Sequence, residues 1–184
     1  MKIMDRKTFI KNTGICIGLA GVPSIVLGQN ILNTNLQKSE VTPRNIRDEE
    51  GKVFNVLGDL QTHKFSGSDT GNQIVEWVSN VKPGVGIPPH VHTKEDEIFR
   101  VIKGQVELTV NGKSTILKAG DTAFAPKNIP HAWKVIGNET AKMIVSAFPA
   151  GIEKMFQQLA SLPAGPPDFE KVAKICGSHG VSFV

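Results

Sequence analysis

The chain of 184 residues contains no tyrosine, only two cysteines, and aromatic residues at just 6%. Without tyrosine, no phenol can act as a proton donor and no cysteine–tyrosine crosslink can form. Cys16 lies in an N-terminal segment that reads as cleavable, so Cys176 is left alone and an internal disulfide is excluded in the processed chain. Strong charge of one sign is also missing once the charges are located. The formal net charge is +4, but residues 1–28 hold Lys2, Arg6, Lys7 and Lys11 against Asp5, a net of +3. The remaining 17 basic and 16 acidic residues are scattered singly, with no basic stripe and no interleaved aromatics, so no nucleic-acid partner is expected. The length suits one domain with a real core and leaves two independent domains crowded.

What is present begins with a leader. A short basic stretch to Lys11 precedes an uncharged stretch whose apolar part covers residues 14–27, the layout of an export signal with cleavage after Gly28. Gly14, Gly18, Gly21 and Pro23 interrupt it, and it falls short of the roughly 20 residues a bilayer span requires, so processing leaves no stable membrane anchor. The run Asp5-Arg6-Lys7-Thr8-Phe9-Ile10-Lys11 resembles a twin-arginine signal with Lys7 in the second arginine's place, leaving that route and the general secretory route both open. The expected location is therefore periplasmic or extracellular. Residues 29–50 are polar and unpatterned and read as an extended arm or linker.

From residue 51 to 148 short β-like runs alternate with turn residues. The runs fall at 53–57, 60–65, 74–81, 97–103, 106–110, 114–118, 121–125, 132–136 and 142–148. Gly58-Asp59 reads as the first turn, and Asn111-Gly112 is a two-residue hairpin signal because both positions tolerate positive φ. Short, regularly spaced strands without intervening helices predict an all-β fold, a small antiparallel barrel or sandwich. In residues 149–184 the period changes. Ile152, Met155, Phe156 and Leu159 form a helical stripe that must lie on the barrel; Asp168 caps a second short helix ending at Gly177, and residues 181–184 add a last strand.

His90 and His92 are two apart, so in extended backbone both point to one face. Glu97 follows after a turn, and His131 stands directly after Pro130 at the start of another strand. Three imidazoles and a carboxylate make a site of intermediate hardness, suited to one divalent transition metal: Fe, Mn, Ni, Cu or Zn. Glu95 and Asp96 read as solvated turn residues, His63 and His179 as surface residues, and Cys176 as a buried thiol near a helix end.

At these residues the chain resembles the cupin superfamily. Gly84, His90, His92, Glu97 and Gly104 fit its first motif, and Gly120, Pro126 and His131 its second, with Asn128 where glycine is usual and Val135 where asparagine is usual. Asn128 can still supply a left-handed turn. The tail is similar to that of single-domain cupins of the quercetin-dioxygenase-like group. The resemblance implies a cupin jelly roll with His90, His92, Glu97 and His131 as metal ligands, and a homodimer paired through outer strands. In the register that turns Glu97 inward, Phe99 and Val101 turn inward too; with Phe124 and Trp133 they are the expected lining of a substrate pocket. Such a site fits dioxygenase-like chemistry on a small aromatic or enolisable molecule, with Glu97 doubling as catalytic base. Isomerase or decarboxylase chemistry, and metal or metabolite binding without turnover, stay open, because fold does not fix function.

Overall fold

A computed structural model describes residues 41–184. The export signal expected at 1–28, and residues 29–40 of the arm, lie outside the described residues. Residues 41–50 form neither helix nor strand and run along the domain. Asp48 is paired with Lys142 Nζ at 2.8 Å, and Lys64 Nζ donates to the carbonyls of Arg47 and Asp48 at 3.0 and 2.7 Å.

Among the described residues eleven strands form two antiparallel sheets. They are β1 (Lys52–Val56), β2 (Asp59–Phe65), β3 (Val75–Val81), β4 (Gly86–His92), β5 (Asp96–Lys103), β6 (Gln105–Val110), β7 (Lys113–Lys118), β8 (Thr122–Ala125), β9 (His131–Ile136), β10 (Ala141–Phe148) and β11 (Val181–Phe183). One sheet has the order β1-β2-β3-β10-β5-β8 and the other β11-β4-β9-β6-β7. The expected all-β jelly roll is thus present as two facing ladders rather than one hydrogen-bonded barrel. Helices α1 (Gly67–Thr70), α2 (Glu153–Ala160) and α3 (Phe169–His179) are the other elements among the described residues.

The strands obey the two-residue period that burial on one face demands. In β10, Ala141, Met143, Val145 and Ala147 are buried while their neighbours are only partly so. In β5, Glu97, Phe99 and Val101 turn inward, and Ile98 and Arg100 outward, as the sequence register predicts. Asn111 and Gly112 take φ of 50° and 73° and close the β6–β7 hairpin. Gly86 is required for another reason: a Cβ there would stand 2.1 Å from the Trp133 carbonyl oxygen, so β4 and β9 approach closely only because it is glycine.

The tail packs by its apolar stripe. Ile152, Met155, Phe156 and Leu159 are all buried, each contributing about 1.5 to 3 kcal/mol. Asp168 caps α3 by accepting from the Lys171 N–H at 3.1 Å. The helix does not stop at Gly177, as expected, but runs to His179 and ends on Gly180, whose φ of 90° gives the left-handed cap. The first turn differs as well. It is Leu57-Gly58, with φ of 54° and 99°, so Asp59 is the first residue of β2 and is buried.

Candidate metal centre

Strand β4, absent from the sequence-based strand assignments, carries two of the histidines. Pro88 and Pro89 cannot donate to a ladder, and the β4–β9 register slips between Ile87 and His90. After the slip His90 stands directly opposite His131. On its other side β4 pairs with β11, His90 opposite Phe183 and His92 opposite Val181. Asn128 holds the left-handed conformation anticipated for it, φ 62°, and its N–H donates to the His92 carbonyl at 2.7 Å. Glu97 arrives from the facing sheet on β5.

One donor atom from each of His90, His92, Glu97 and His131 lies within 4.8 Å of all the others, and all four side chains are buried. Among the described residues this is the one cluster of three or more such side chains. Glu97 Oε2 is 3.0 Å from His131 Nε2 and 3.8 Å from His92 Nε2. Bonds near 2.1 Å put neighbouring ligands about 3.0 to 3.4 Å apart, so small adjustments close the set. His90 Nδ1 lies 2.9 Å from the Pro88 carbonyl and His131 Nδ1 3.3 Å from that of Ile129. A carbonyl only accepts, so both Nδ1 atoms carry hydrogen, and Nε2 of each ring is the nitrogen that would meet a metal.

The electrostatics point the same way. Burial, reinforced by the neighbouring His131 and His92, lowers His90 to about 4, leaving it a neutral ligand. Burial acts to raise Glu97, but the His131 hydrogen bond and the adjacent imidazoles outweigh it and hold the carboxyl below its ordinary value. Burial opposes the charge on His92 too, yet Glu95 and Glu97 raise it above its ordinary value. A buried carboxylate facing three imidazoles fits a divalent cation, and these four residues form a site able to hold one.

Glu95 corrects the sequence reading. It is not a solvated turn residue but is only 4% exposed, with Oε2 at 3.7 Å from His92 Nδ1. Neither atom has a hydrogen-bond partner, and a slightly closer approach of the two would let Glu95 orient His92 as an outer carboxylate does a ligating histidine. Asp96, by contrast, stays near the surface and accepts from the Lys127 N–H at 2.8 Å. His63 is also buried, stacked on Trp77 at 5.8 Å, because its ring completes an aromatic cluster with Phe54 and Phe156. His179 is half-buried near the end of α3, and Cys176 is the expected buried thiol, raised by burial.

A cavity of about 70 Å³ lies against His90, His92 and Glu97. Phe99 and Trp133 line it. Val101 is fully buried in the core but does not reach the lining. Phe124 is corrected outright: it pairs with outward-facing Ile98, is 53% exposed, and stacks on Phe148 on the outer face. The tail supplies Met155, Phe156, Leu159, Cys176, Val181 and Phe183, a contribution hidden in the sequence because their period reports only packing.

Residues 77–147 match the family model described as Cupin domain. Quercetin 2,3-dioxygenase of Bacillus subtilis is 28% identical over 109 residues, 59% of this chain and 32% of that protein. Oxalate oxidase 2 of Hordeum vulgare is 30% identical over 93 residues, 46% of this chain and 42% of that protein, so the chain spans less than half of either named enzyme. Among solved structures, KdgF from a Halomonas species superposes with a TM-score of 0.53 at 18% identity, covering 61% of this chain and 99% of that one. That likeness concerns the fold. An uncharacterized protein of Aquifex aeolicus is 30% identical over 93 residues, half of this chain and 75% of that protein. With a relative matched over so much of its length and a domain match running from β3 to β10, the chain belongs to the cupin family.

Proposed function

We propose that this cupin is a metal-dependent oxidoreductase with dioxygenase-like activity on a small aromatic or enolisable compound. The observation that carries the reading is that the four-residue cluster opens into a cavity with room beside it, walled chiefly by apolar side chains, rather than into packed core. A divalent transition metal bound there supplies Lewis acidity and, if redox-active, electron exchange with O₂. The chain's own residues do the rest. Phe99, Trp133 and Phe156 exclude water and bind the substrate's apolar body. Glu97, kept ionised by the imidazoles around it, is a ready ligand and accepts a substrate proton at a carboxylate oxygen. The distant named relatives, a quercetin dioxygenase and oxalate oxidases, support oxidative chemistry.

Size narrows the substrate. Typical ligand pockets are about 300 to 1,000 Å³, so about 70 Å³ favours catechols, β-diketones or small acids over flavonols. The experiment is O₂ uptake by protein loaded separately with Fe, Mn, Ni, Cu and Zn. Uptake is expected with a redox-active metal and a small substrate, and its absence across all three substrate classes overturns the reading. Turnover that persists without O₂ selects an isomerase or decarboxylase instead. We further place the processed chain outside the cytoplasm, on the strength of residues 1–28. N-terminal sequencing of exported protein should begin at Gln29, and an intact Met1 overturns this.

A further inference from the structure

On the cavity wall formed by β2 and β3, away from the metal motifs, lies a polar network the sequence did not reveal. Asp59, 3% exposed, lines the cavity. Its Oδ2 accepts from Gln61 Nε2 at 2.8 Å and from the Ser79 hydroxyl at 3.0 Å. The donors are themselves directed: Trp77 Nε1–H donates to Ser79 Oγ at 3.2 Å, and Gln61 Oε1 faces His63 Nε2 at 2.9 Å. Burial keeps His63 neutral, at about 4, so a proton on Nε2 completes the chain. Both donors to the carboxylate, Gln61 and Ser79, reach Oδ2. Oδ1 is buried and has no partner.

Leaving one buried oxygen of a cavity-lining carboxylate unpaired costs on the order of a few kcal/mol unless something binds it. The geometry points to Asp59 as the polar subsite of the cavity, its Oδ1 accepting a hydrogen bond from a hydroxyl group on the ligand. The ligand class is then a small, mainly apolar molecule bearing an O–H donor. The network explains why the oxygen stays available, since Gln61 and Ser79 hold the carboxylate by its other oxygen. Burial pushes Asp59 up to about 6, against the hydrogen bonds from Gln61 and Ser79, so it is mostly ionised and accepting at neutral pH.

The inference rests on the reading of this cavity as the substrate chamber, and the test separates the two. Trp77 and Trp133 are the chain's two tryptophans and both line the cavity, so their fluorescence reports occupancy. The probes are phenol and its methyl ether anisole, nearly equal in shape and differing in the O–H donor, titrated against zinc-loaded protein. Phenol is expected to bind at least about tenfold more tightly than anisole. In Asp59→Asn the amide oxygen takes the two network bonds and the NH₂ group turns to the cavity, so the preference should vanish or invert while zinc content is unchanged. An unaltered preference in Asp59→Asn overturns the subsite. Should that variant not fold, wild-type protein freed of zinc by chelation decides: there no metal can take the phenol oxygen, the preference must persist, and equal affinity overturns the proposal. Binding of both probes with equal affinity defeats Asp59 alone and leaves the chamber intact, whereas binding of neither removes the chamber and the subsite together.

Discussion

Glu97 and His131, 34 positions apart and on facing sheets, meet through an Oε2 to Nε2 contact of 3.0 Å. The same Oε2 lies 3.8 Å from His92 Nε2, and against burial Glu95 and Glu97 raise His92 above its ordinary value, so without a metal His92 keeps a second proton to higher pH than a free imidazole. A metal must displace that proton. Metal uptake at about pH 6 is therefore expected to release protons, read from the dependence of calorimetric heat on the buffer's ionisation enthalpy. Heats that do not vary with buffer contradict it.

Glu95 acts on the metal only through His92. Replacing it with alanine removes the acceptor for Nδ1 and is expected to weaken metal binding by about 10- to 100-fold, while Glu95→Gln, which keeps a carbonyl oxygen, recovers part of the loss. Competition with a chelator of known affinity measures both, and an unchanged affinity in the alanine variant removes Glu95 from the centre.

Asp59 should leave a signature in stability. Its folded value of about 6 lies above the ordinary 3.8, so the folded chain keeps a proton that the unfolded chain gives up near pH 4. The stabilisation is fully present below about pH 4 and is lost as the pH rises through 6. Asp59→Asn stays neutral throughout, so between pH 4 and 7 it should gain on the wild type by up to about 3 kcal/mol. His63 and His90, both lowered to about 4 by burial, change stability in the opposite direction as the pH rises, but they do so in both proteins and cancel in the difference. Denaturant titrations at pH 4 and 7 test it, and a constant difference refutes it.

The last strand is part of the centre. Val181 and Phe183 pair with His92 and His90 and line the cavity. Deleting residues 181–184 strips that ladder from the ligand strand and exposes a buried valine. The expected cost is about 2 to 4 kcal/mol in a denaturant titration, with weakened metal binding. Unchanged stability and affinity would show the strand to be ornamental.

The four metal-site residues were legible in the sequence because their spacing is itself the signal: two histidines on one strand face, a carboxylate after a turn, a histidine at a strand start. The inward register of Phe99 was legible for the same reason. Glu95 was not, because an acidic trio after a turn looks solvated whether or not the turn folds back over His92. Asp59 was hidden by its place after Gly58, where local turn chemistry masks the start of a buried strand. Phe124 misled because proximity to a motif says nothing about which sheet face a residue occupies, and only its pairing with Ile98 decides that. Strand β4 escaped notice because Pro88 and Pro89 argue against a ladder that in fact slips around them.

The central claim is that His90, His92, Glu97 and His131 together hold one metal ion. Metal analysis of protein purified from its native compartment, beside His92→Ala prepared identically, tests it most directly. The account predicts close to one divalent transition metal per wild-type chain and little in the variant. Equal metal content in the two proteins would contradict it.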